Sequence, residues 1–397
     1  MIFNFDNTMP GMPALSGTAG TLASVLRTCL VTGGAVTSVV SLTVASGVAT
    51  ATYASAHGQK ANTVIQVAGA TPGALNGLQR IASVTTNALT FPAPGVPDGA
   101  ATGAITTKIA PAGWQELFAG TLANVGVFKP GAPEATGCVL RVDDTGTNNA
   151  RIVGYETLAD ASTGTGPFPT PAQKAGGLYW AKSDAASTAA RAWWLWADER
   201  AFGLLIYCYG TIQTRGIGYG FGDLGANKSG DPYACYVAGS ETATAWNGDA
   251  VASCLGAMWG NASPGTAQGL YLARAATGLG SAVIARKAAA YANGTALYYS
   301  GAINYWQGSS LAHPNPADNS LRLSGVDVLT IGDGFRGLLP GIAHTPQIML
   351  EAYQTGDKIP GEGAYAGRTL MAVRVGIPNA GTTPGTMFVD LSGPWRA

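Results

Sequence analysis

Residues 193–209 constrain the fold more than any other part of the chain. They consist of two apolar runs separated by the charged tripeptide at 198–200, a pattern that predicts a β-hairpin. Because successive side chains of a strand point to opposite faces, Trp194 and Trp196 share one face of this hairpin and Trp193 lies on the other. Both faces are apolar. We therefore expect one face to contact the core and the other to be covered by a second layer or by another subunit.

Short strand patterns recur along most of the chain. With 56 glycines among 397 residues, the composition favours short strands and turns over helices. Residues 21–30 are the exception, because apolar side chains recur there at helical spacing and Gly33-Gly34 follows. We expect this helix to pack on a sheet, with contact to a neighbouring subunit as the alternative. The Gly- and Pro-rich stretch 162–171 is predicted to be a loop.

The predicted class is mainly β, with antiparallel β-sandwich or barrel domains, a short N-terminal helix and long loops. Changes in composition divide the chain into four predicted regions. Residues 1–35 form an N-terminal arm with the short helix, and residues 36–112 form a small β domain. Aromatic residues then become frequent, and residues 113–340 are predicted to be the main β domain. Residues 341–397 form an extended C-terminal β segment.

The chain carries few charges, and they balance. Charged residues make up 11% of the chain, with 22 Lys and Arg against 22 Asp and Glu, whereas a typical soluble domain has about 25%. This composition offers no basic surface for nucleic acid. Thr, Ser and Gly interrupt the uncharged stretch 28–59 too often for a membrane span, and the first residues lack the basic region of a signal peptide. So few charges give a free monomer little protection against aggregation, which indicates that other subunits cover much of the surface.

Glycine alternates with large apolar residues at 216–222. A phosphate-binding loop would require the pattern G-x-G-x-x-G at the start of a helix, and the segment has neither feature. We instead predict a strand in which the glycines permit a bend while Ile217, Tyr219 and Phe221 pack on one face.

The sequence predicts no catalytic triad, cofactor site or zinc site. The three histidines, His57, His313 and His344, lie beside turn residues and lack the spacing of such sites. The cysteines are few, odd in number and widely spaced without a C-x-x-C pair, which indicates buried free thiols: Cys29, Cys138, Cys208, Cys235 and Cys254.

Carboxylates are the remaining candidates for chemistry, because two of them across a sugar can cleave a glycan. The adjacent pairs Asp143-Asp144 and Asp198-Glu199 have the context of ordinary turn residues. A calcium site would need the spacing of an EF-hand loop, which is not found at the three remaining aspartates, Asp223, Asp231 and Asp249. We therefore expect neither a metal site nor enzymatic activity.

Residues 60–110 contain a succession of short motifs. Val67-Ala68-Gly69-Ala70-Thr71-Pro72 precedes Asn76-Gly77, and the segments 87–91 and 98–103 follow. This succession resembles a small β module of tail-associated virion proteins in tailed bacteriophages. The resemblance implies that Asn76-Gly77 makes a turn before an outward strand and that 87–91 is the return strand. The aromatic hairpin, the segment 220–234 and the ending 390–396 are similar to virion proteins of phages and prophages of Gram-negative hosts.

This resemblance implies a structural virion component that assembles as a homo-oligomer in the tail tip, baseplate or fibre region, in the cytoplasm of a bacterial host. The expected partners are further copies of the chain, in a trimer by analogy, and other tail proteins. The alternatives are a host-surface adhesin that contacts a receptor, a head decoration protein and a glycan depolymerase.

Two sets of residues are candidates for contacts. Residues expected to serve core packing or subunit contact are Trp193, Trp194, Trp196, Phe202, Tyr219, Phe221 and Trp395. Aromatic residues in loop-like contexts could stack on a glycan, with core or interface packing as the alternative: Trp246, Trp259, Tyr305 and Trp306.

Overall fold

A computed structural model describes residues 1–211, 213–244, 269–288, 290–292, 297–299, 311–330, 332–345, 347–348, 352–376 and 385–396. Among these residues the fold is mainly β, its sheets are antiparallel apart from one short parallel pair, and long loops connect them. The predicted fold class is therefore confirmed.

The predicted N-terminal helix is present as the α-helix Thr21–Arg27, which continues as a π-helical turn, Thr28–Thr32. Gly33 follows with a φ of 78°, a conformation that favours glycine and ends the helix. The side chains at the predicted apolar positions are fully buried in the same core as the aromatic hairpin: Leu22, Val25, Leu26, Cys29 and Leu30. The helix packs on the sheets of its own chain.

Residues 37–109 form two antiparallel sheets that pack face to face. The strand order is Thr37–Ser38, Thr106–Ile109, Val64–Ala68 and Gly77–Arg80 in one sheet, and Ser83–Val84, Ala88–Pro92, Val48–Thr52, Ser41–Ala45 and Gly99–Ala100 in the other. Their inner faces share a separate core that includes Val44, Phe91 and Ile65. Asn76 holds the turn before Gly77–Arg80, because its side-chain amide accepts from the Ala70 N–H at 2.9 Å and donates to the Ala70 carbonyl at 2.8 Å.

A six-stranded sheet follows along the chain. Its path is Gln115–Glu116, Val125–Lys129, Val139–Asp143, Asn149–Leu158 and Gly164–Phe168, and Leu178–Ala181 pairs with Asn149–Leu158. The stretch predicted as a loop thus contains the strand Gly164–Phe168, which lies at the sheet edge. Pro167 is tolerated there because an edge strand has one side without ladder hydrogen bonds.

The largest sheet joins the two ends of the described chain. Thirteen of the described strands form it, in the order Phe3–Asp6, Trp193–Ala197, Ala201–Ile206, Ile217–Asp223, Cys235–Ala238, Leu270–Leu272, Val283–Ala288, Ser324–Thr330, Gly334–His344, Gly385–Asp390, Thr369–Val375 and Lys358–Pro360, with Gly225–Ala226 paired to Gly334–His344. The strand Gly334–His344 runs across the predicted boundary at 340/341.

The largest sheet must fold over on itself. Leu205, near one end of the strand order, shares a core with Val373, near the other end. The bridge between Gly216 and Val375 closes this arrangement. Short elements complete the described fold: the paired strands Ala290–Ala292 and Leu297–Tyr299, the parallel pair Leu311–Ala312 and Gln347–Ile348, and the 3-10 turns Gly73–Leu75 and Gly363–Tyr365. Helices long and apolar enough to cross a membrane are absent from the described residues.

Candidate functional site

The aromatic hairpin forms as predicted, with Trp193–Ala197 paired to Ala201–Ile206. One face of the hairpin packs against the helix and the six-stranded sheet. Trp193 is fully buried on this face, and its indole N–H donates to the Pro13 carbonyl at 3.2 Å. Phe202 lies on the same face, edge-to-face with Trp180 at a centroid distance of 5.9 Å.

The other face of the hairpin packs against the C-terminal strands of the same chain. Trp196 is 1% exposed, and its indole lies over Gly203, its partner on the adjacent strand. Trp194 is half-buried and contacts the Tyr207 ring at a centroid distance of 4.9 Å. A second layer of this chain therefore covers the face. Of the two covers expected for this face, a second layer of the same chain is the one that buries Trp196, and contact between subunits at this hairpin stays a prediction.

The glycine-rich strand Ile217–Asp223 also follows its prediction. Ile217, Tyr219 and Phe221 are buried on one face, in the core that contains Trp193. Tyr219 stacks on the Trp180 ring at 5.4 Å, and its hydroxyl accepts from the Ala181 N–H at 2.9 Å. This segment is a packed strand of the sheet.

Trp395 occupies a different environment from the other packing candidates. It is half-buried at the edge of the second core, and its indole N–H donates to the Asp390 carbonyl at 2.8 Å. Its ring lies against Gly341, whose φ is 69° and where a Cβ would come within 2.2 Å of the indole. Part of this ring remains exposed, so Trp395 can contact a ligand or another molecule.

Asp144 is a buried structural anchor, which corrects its prediction as a turn residue. Its carboxylate forms an ion pair with Lys182, and neither side chain is exposed. The carboxylate also accepts from the N–H groups of Leu22 and Ala23 at 2.7 and 3.1 Å, in the first turn of the helix. Burial raises the pKa of Asp144, and the facing ammonium only partly opposes this effect. Burial likewise lowers the pKa of Lys182.

Four other carboxylates considered for chemistry hold turns or pair with arginines, and Glu199 is exposed. Asp143 and Asp198 accept from backbone N–H groups two residues ahead, as in ordinary turns. Asp223 binds Arg200 at 3.0 Å, and Asp231 binds Arg336 at 2.8 Å. Both carboxylates are therefore engaged in ion pairs within the fold.

The described residues contain no group of three His, Cys, Asp or Glu side chains that could hold a metal ion. Four of the described cysteines are buried and outside any disulfide: Cys29, Cys138, Cys208 and Cys235. The residues Asp249 and Cys254 lie outside the described part of the chain, as do all four candidates for glycan contact, Trp246, Trp259, Tyr305 and Trp306.

The outer face of the five-stranded sheet is a feature that the sequence reasoning missed. Direct cross-strand pairing places Thr43, Thr50, Thr90 and Ser83 in one row across four strands. The hydroxyls of Ser83 and Thr90 lie 2.7 Å apart. Together with the outward residues of the flanking rows, they form a surface that we name the hydroxyl face: Ser41, Thr43, Ala45, Val48, Thr50, Thr52, Ser83, Ala88, Thr90, Pro92 and Ala100.

The hydroxyl face carries no charged side chain at any of these described positions. Val48 is 43% exposed on it, and Val36 and Val40 are 66% and 67% exposed near the start of the same module. In Ser41–Ala45, large apolar residues alternate strictly with small or hydroxyl-bearing ones, and Leu42 and Val44 point inward. This alternation is the sequence signal that could have identified the face.

No protein-family model matches the chain, and no curated protein is significantly similar to it.

Proposed function

We propose that this chain is a structural component of a tailed-phage virion that assembles as a homo-oligomer in the tail tip, baseplate or fibre region. The hydroxyl face is the observation that supports association, because its outward strand positions are exposed or partly exposed and carry no charge. The motifs of residues 60–110 support the placement in a virion through the resemblance described above. Assembly takes place in the cytoplasm of the bacterial host.

The size of the hydroxyl face is compatible with part of an interface. Three of its strands have five residues and two have two residues, and at about 3.4 Å along each strand and about 4.8 Å between strands these residues cover roughly 310 Å². A standard interface buries about 800 Å² on each partner, so this face would supply about two fifths of it. The exposed Val36 and Val40 add apolar surface nearby. Charged residues are depleted from the centres of protein interfaces, and this surface has the same property.

The test introduces a charge on the hydroxyl face. Thr43→Lys places an ammonium group at an exposed strand position in the central row, and Thr165→Lys places the same group at an exposed strand position on the six-stranded sheet. We expect light scattering at about 10 μM to show an oligomer for the wild type and for Thr165→Lys, and a monomer for Thr43→Lys, because an unpaired charge opposes burial.

A monomeric wild type at this concentration would contradict the proposal, as would an unchanged mass for Thr43→Lys. The virion assignment is tested separately by mass spectrometry of purified particles from a phage or prophage that encodes the chain. Its absence from those particles would refute that part.

A further inference from the structure

An open groove lies on the C-terminal side of the fold, between the turn Gly363–Tyr365 and the segment 318–323. Its volume is about 650 Å³, within the range of about 300–1,000 Å³ that is typical of ligand sites. We name it the Tyr365 groove. An adjoining cavity of about 420 Å³, also lined by Tyr365 and Leu370, extends it to Trp395.

The groove has a fixed aromatic floor. Tyr353 packs edge-to-face on the buried Phe388 at 5.7 Å and contacts the His313 ring, also at 5.7 Å. Tyr365 is held by the surrounding turn, in which its N–H donates to the Glu362 carbonyl at 2.9 Å and its own carbonyl accepts from Arg368 N–H at 3.0 Å. Both tyrosines are only partly buried. The ring of Tyr353 is therefore held by its neighbours and the backbone of Tyr365 by its turn, which reduces the ordering that ligand binding requires.

The rim of the groove is polar and carries both signs of charge. Asp318 and Arg322 form an exposed ion pair at 3.6 Å, and Glu362 and Asn319 are exposed. His313 adds a buried Nδ1 that has no hydrogen-bond partner among the described residues. Because this atom is enclosed by the protein, a ligand in the groove would bind through the exposed polar groups of the rim.

We propose that the Tyr365 groove binds a neutral oligosaccharide. The apolar C–H face of a sugar ring fits a partly exposed tyrosine, and its hydroxyls fit a rim of mixed donors and acceptors. The continuation to Trp395 provides a third aromatic ring for a chain of several sugars. This binding role goes beyond the association proposed above and does not depend on it.

The groove is less suited to other ligands. A peptide that adds a strand needs a free sheet edge, but the edge strand Lys358–Pro360 has three residues and ends in a proline that donates no hydrogen bond. An anionic glycan or a phosphorylated ligand would meet two carboxylates, of Asp318 and Glu362, against the single guanidinium of Arg322, which already pairs with Asp318. These observations favour a neutral saccharide.

The test uses the full chain on an array of neutral, sialylated and sulfated oligosaccharides, followed by calorimetric titration with the best neutral hexasaccharide. We expect saturable binding with a Kd between about 10 μM and 1 mM.

Tyr365→Ala should weaken binding at least about tenfold, which corresponds to 1.4 kcal/mol, whereas Tyr365→Phe keeps the ring and should bind within about threefold of wild type. The matched control is Tyr209→Ala, which removes a partly exposed tyrosine outside the groove and should not change binding.

A second variant keeps the test valid if Tyr365→Ala fails to fold. Glu362→Ala removes an exposed hydrogen-bond acceptor from the rim and changes no buried side chain, so we expect weaker binding with an unchanged melting temperature. Failure of every neutral saccharide to bind would overturn the proposal. Preference for the acidic glycans would overturn it too, as would equal effects of Tyr365→Ala and Tyr209→Ala. The oligomer mass from light scattering is a separate measurement, so failure of one proposal does not affect the other.

Discussion

Replacing Lys182 by Met removes the ammonium group that faces the buried carboxylate of Asp144 and keeps most of the side-chain volume. Neither partner of this ion pair is exposed. The remaining carboxylate would keep its two hydrogen bonds from the helix N–H groups of Leu22 and Ala23 but would lose its opposite charge. The variant also loses the hydrogen bond from Lys182 Nζ to the Thr18 carbonyl at 2.7 Å.

The expected loss for Lys182→Met is about 4–6 kcal/mol in the free energy of unfolding at pH 7. Removal of one partner of a buried pair costs about 3–5 kcal/mol because a charge is left uncompensated, and the lost hydrogen bond adds roughly 1 kcal/mol. The double variant Asp144→Asn/Lys182→Met should lose less than Lys182→Met, because a neutral amide needs no countercharge and its oxygen still accepts from the helix.

The pH dependence follows from the direction of the pKa shift. Burial already raises the pKa of Asp144 in the wild type, and removal of the ammonium raises it further. A carboxyl whose folded pKa is above the unfolded value of about 3.9 contributes stability below that value, and this contribution is lost as the pH rises through the folded pKa. The difference between wild type and Lys182→Met should therefore shrink as the pH falls from 7 towards 4.

Urea unfolding followed by tryptophan fluorescence measures these differences at several pH values. The matched control is Lys228→Met, which removes an exposed lysine that donates to the Ala276 carbonyl at 3.1 Å, and we expect it to change stability by less than about 0.5 kcal/mol. A loss below about 1 kcal/mol for Lys182→Met at pH 7, or a loss that does not vary with pH, would refute the reasoning.

Two further predictions concern buried positions. Gly203→Ala would place a Cβ about 2.5 Å from the indole of Trp196 and should cost at least about 1–3 kcal/mol in urea unfolding, whereas Gly73→Ala meets no atom within 4 Å and should cost much less. Burial raises the pKa of Cys29 and Cys235, so mass spectrometry should show no alkylation of either thiol by iodoacetamide at pH 8 until the protein is denatured. Rapid modification of the native protein would contradict this burial.

Local patterns predicted the elements in which apolar side chains recur at the spacing of one type of secondary structure. Apolar spacing predicted the helix at Thr21–Arg27 and the hairpin at Trp193–Ala197 and Ala201–Ile206. Each spacing produces a continuous apolar surface only in one type of secondary structure. The row of glycines at 216–222 likewise predicted a strand, and its large residues pack on one face.

Predictions that depended on a distant partner were less successful. The stretch 162–171 was predicted as a loop because Gly and Pro interrupt regular structure, yet Gly164–Phe168 pairs with Asn149–Leu158 at a sheet edge. Asp144 had the context of a turn residue, but Lys182 and the helix N–H groups, up to 122 positions away, surround it. The groove around Tyr365 also combines segments from 313 to 370, which share no local motif.

Side-chain alternation alone predicts which segments are strands with two apolar faces, since alternation is a local property of the backbone. It placed Trp193 and Trp196 on opposite faces of one hairpin. What covers each face depends on the folding of a long sheet over itself, which no local pattern contains. The sheet brings C-terminal strands against Trp196, so cores of the same chain cover both faces. The hydroxyl face, on the five-stranded sheet, stays open to another molecule.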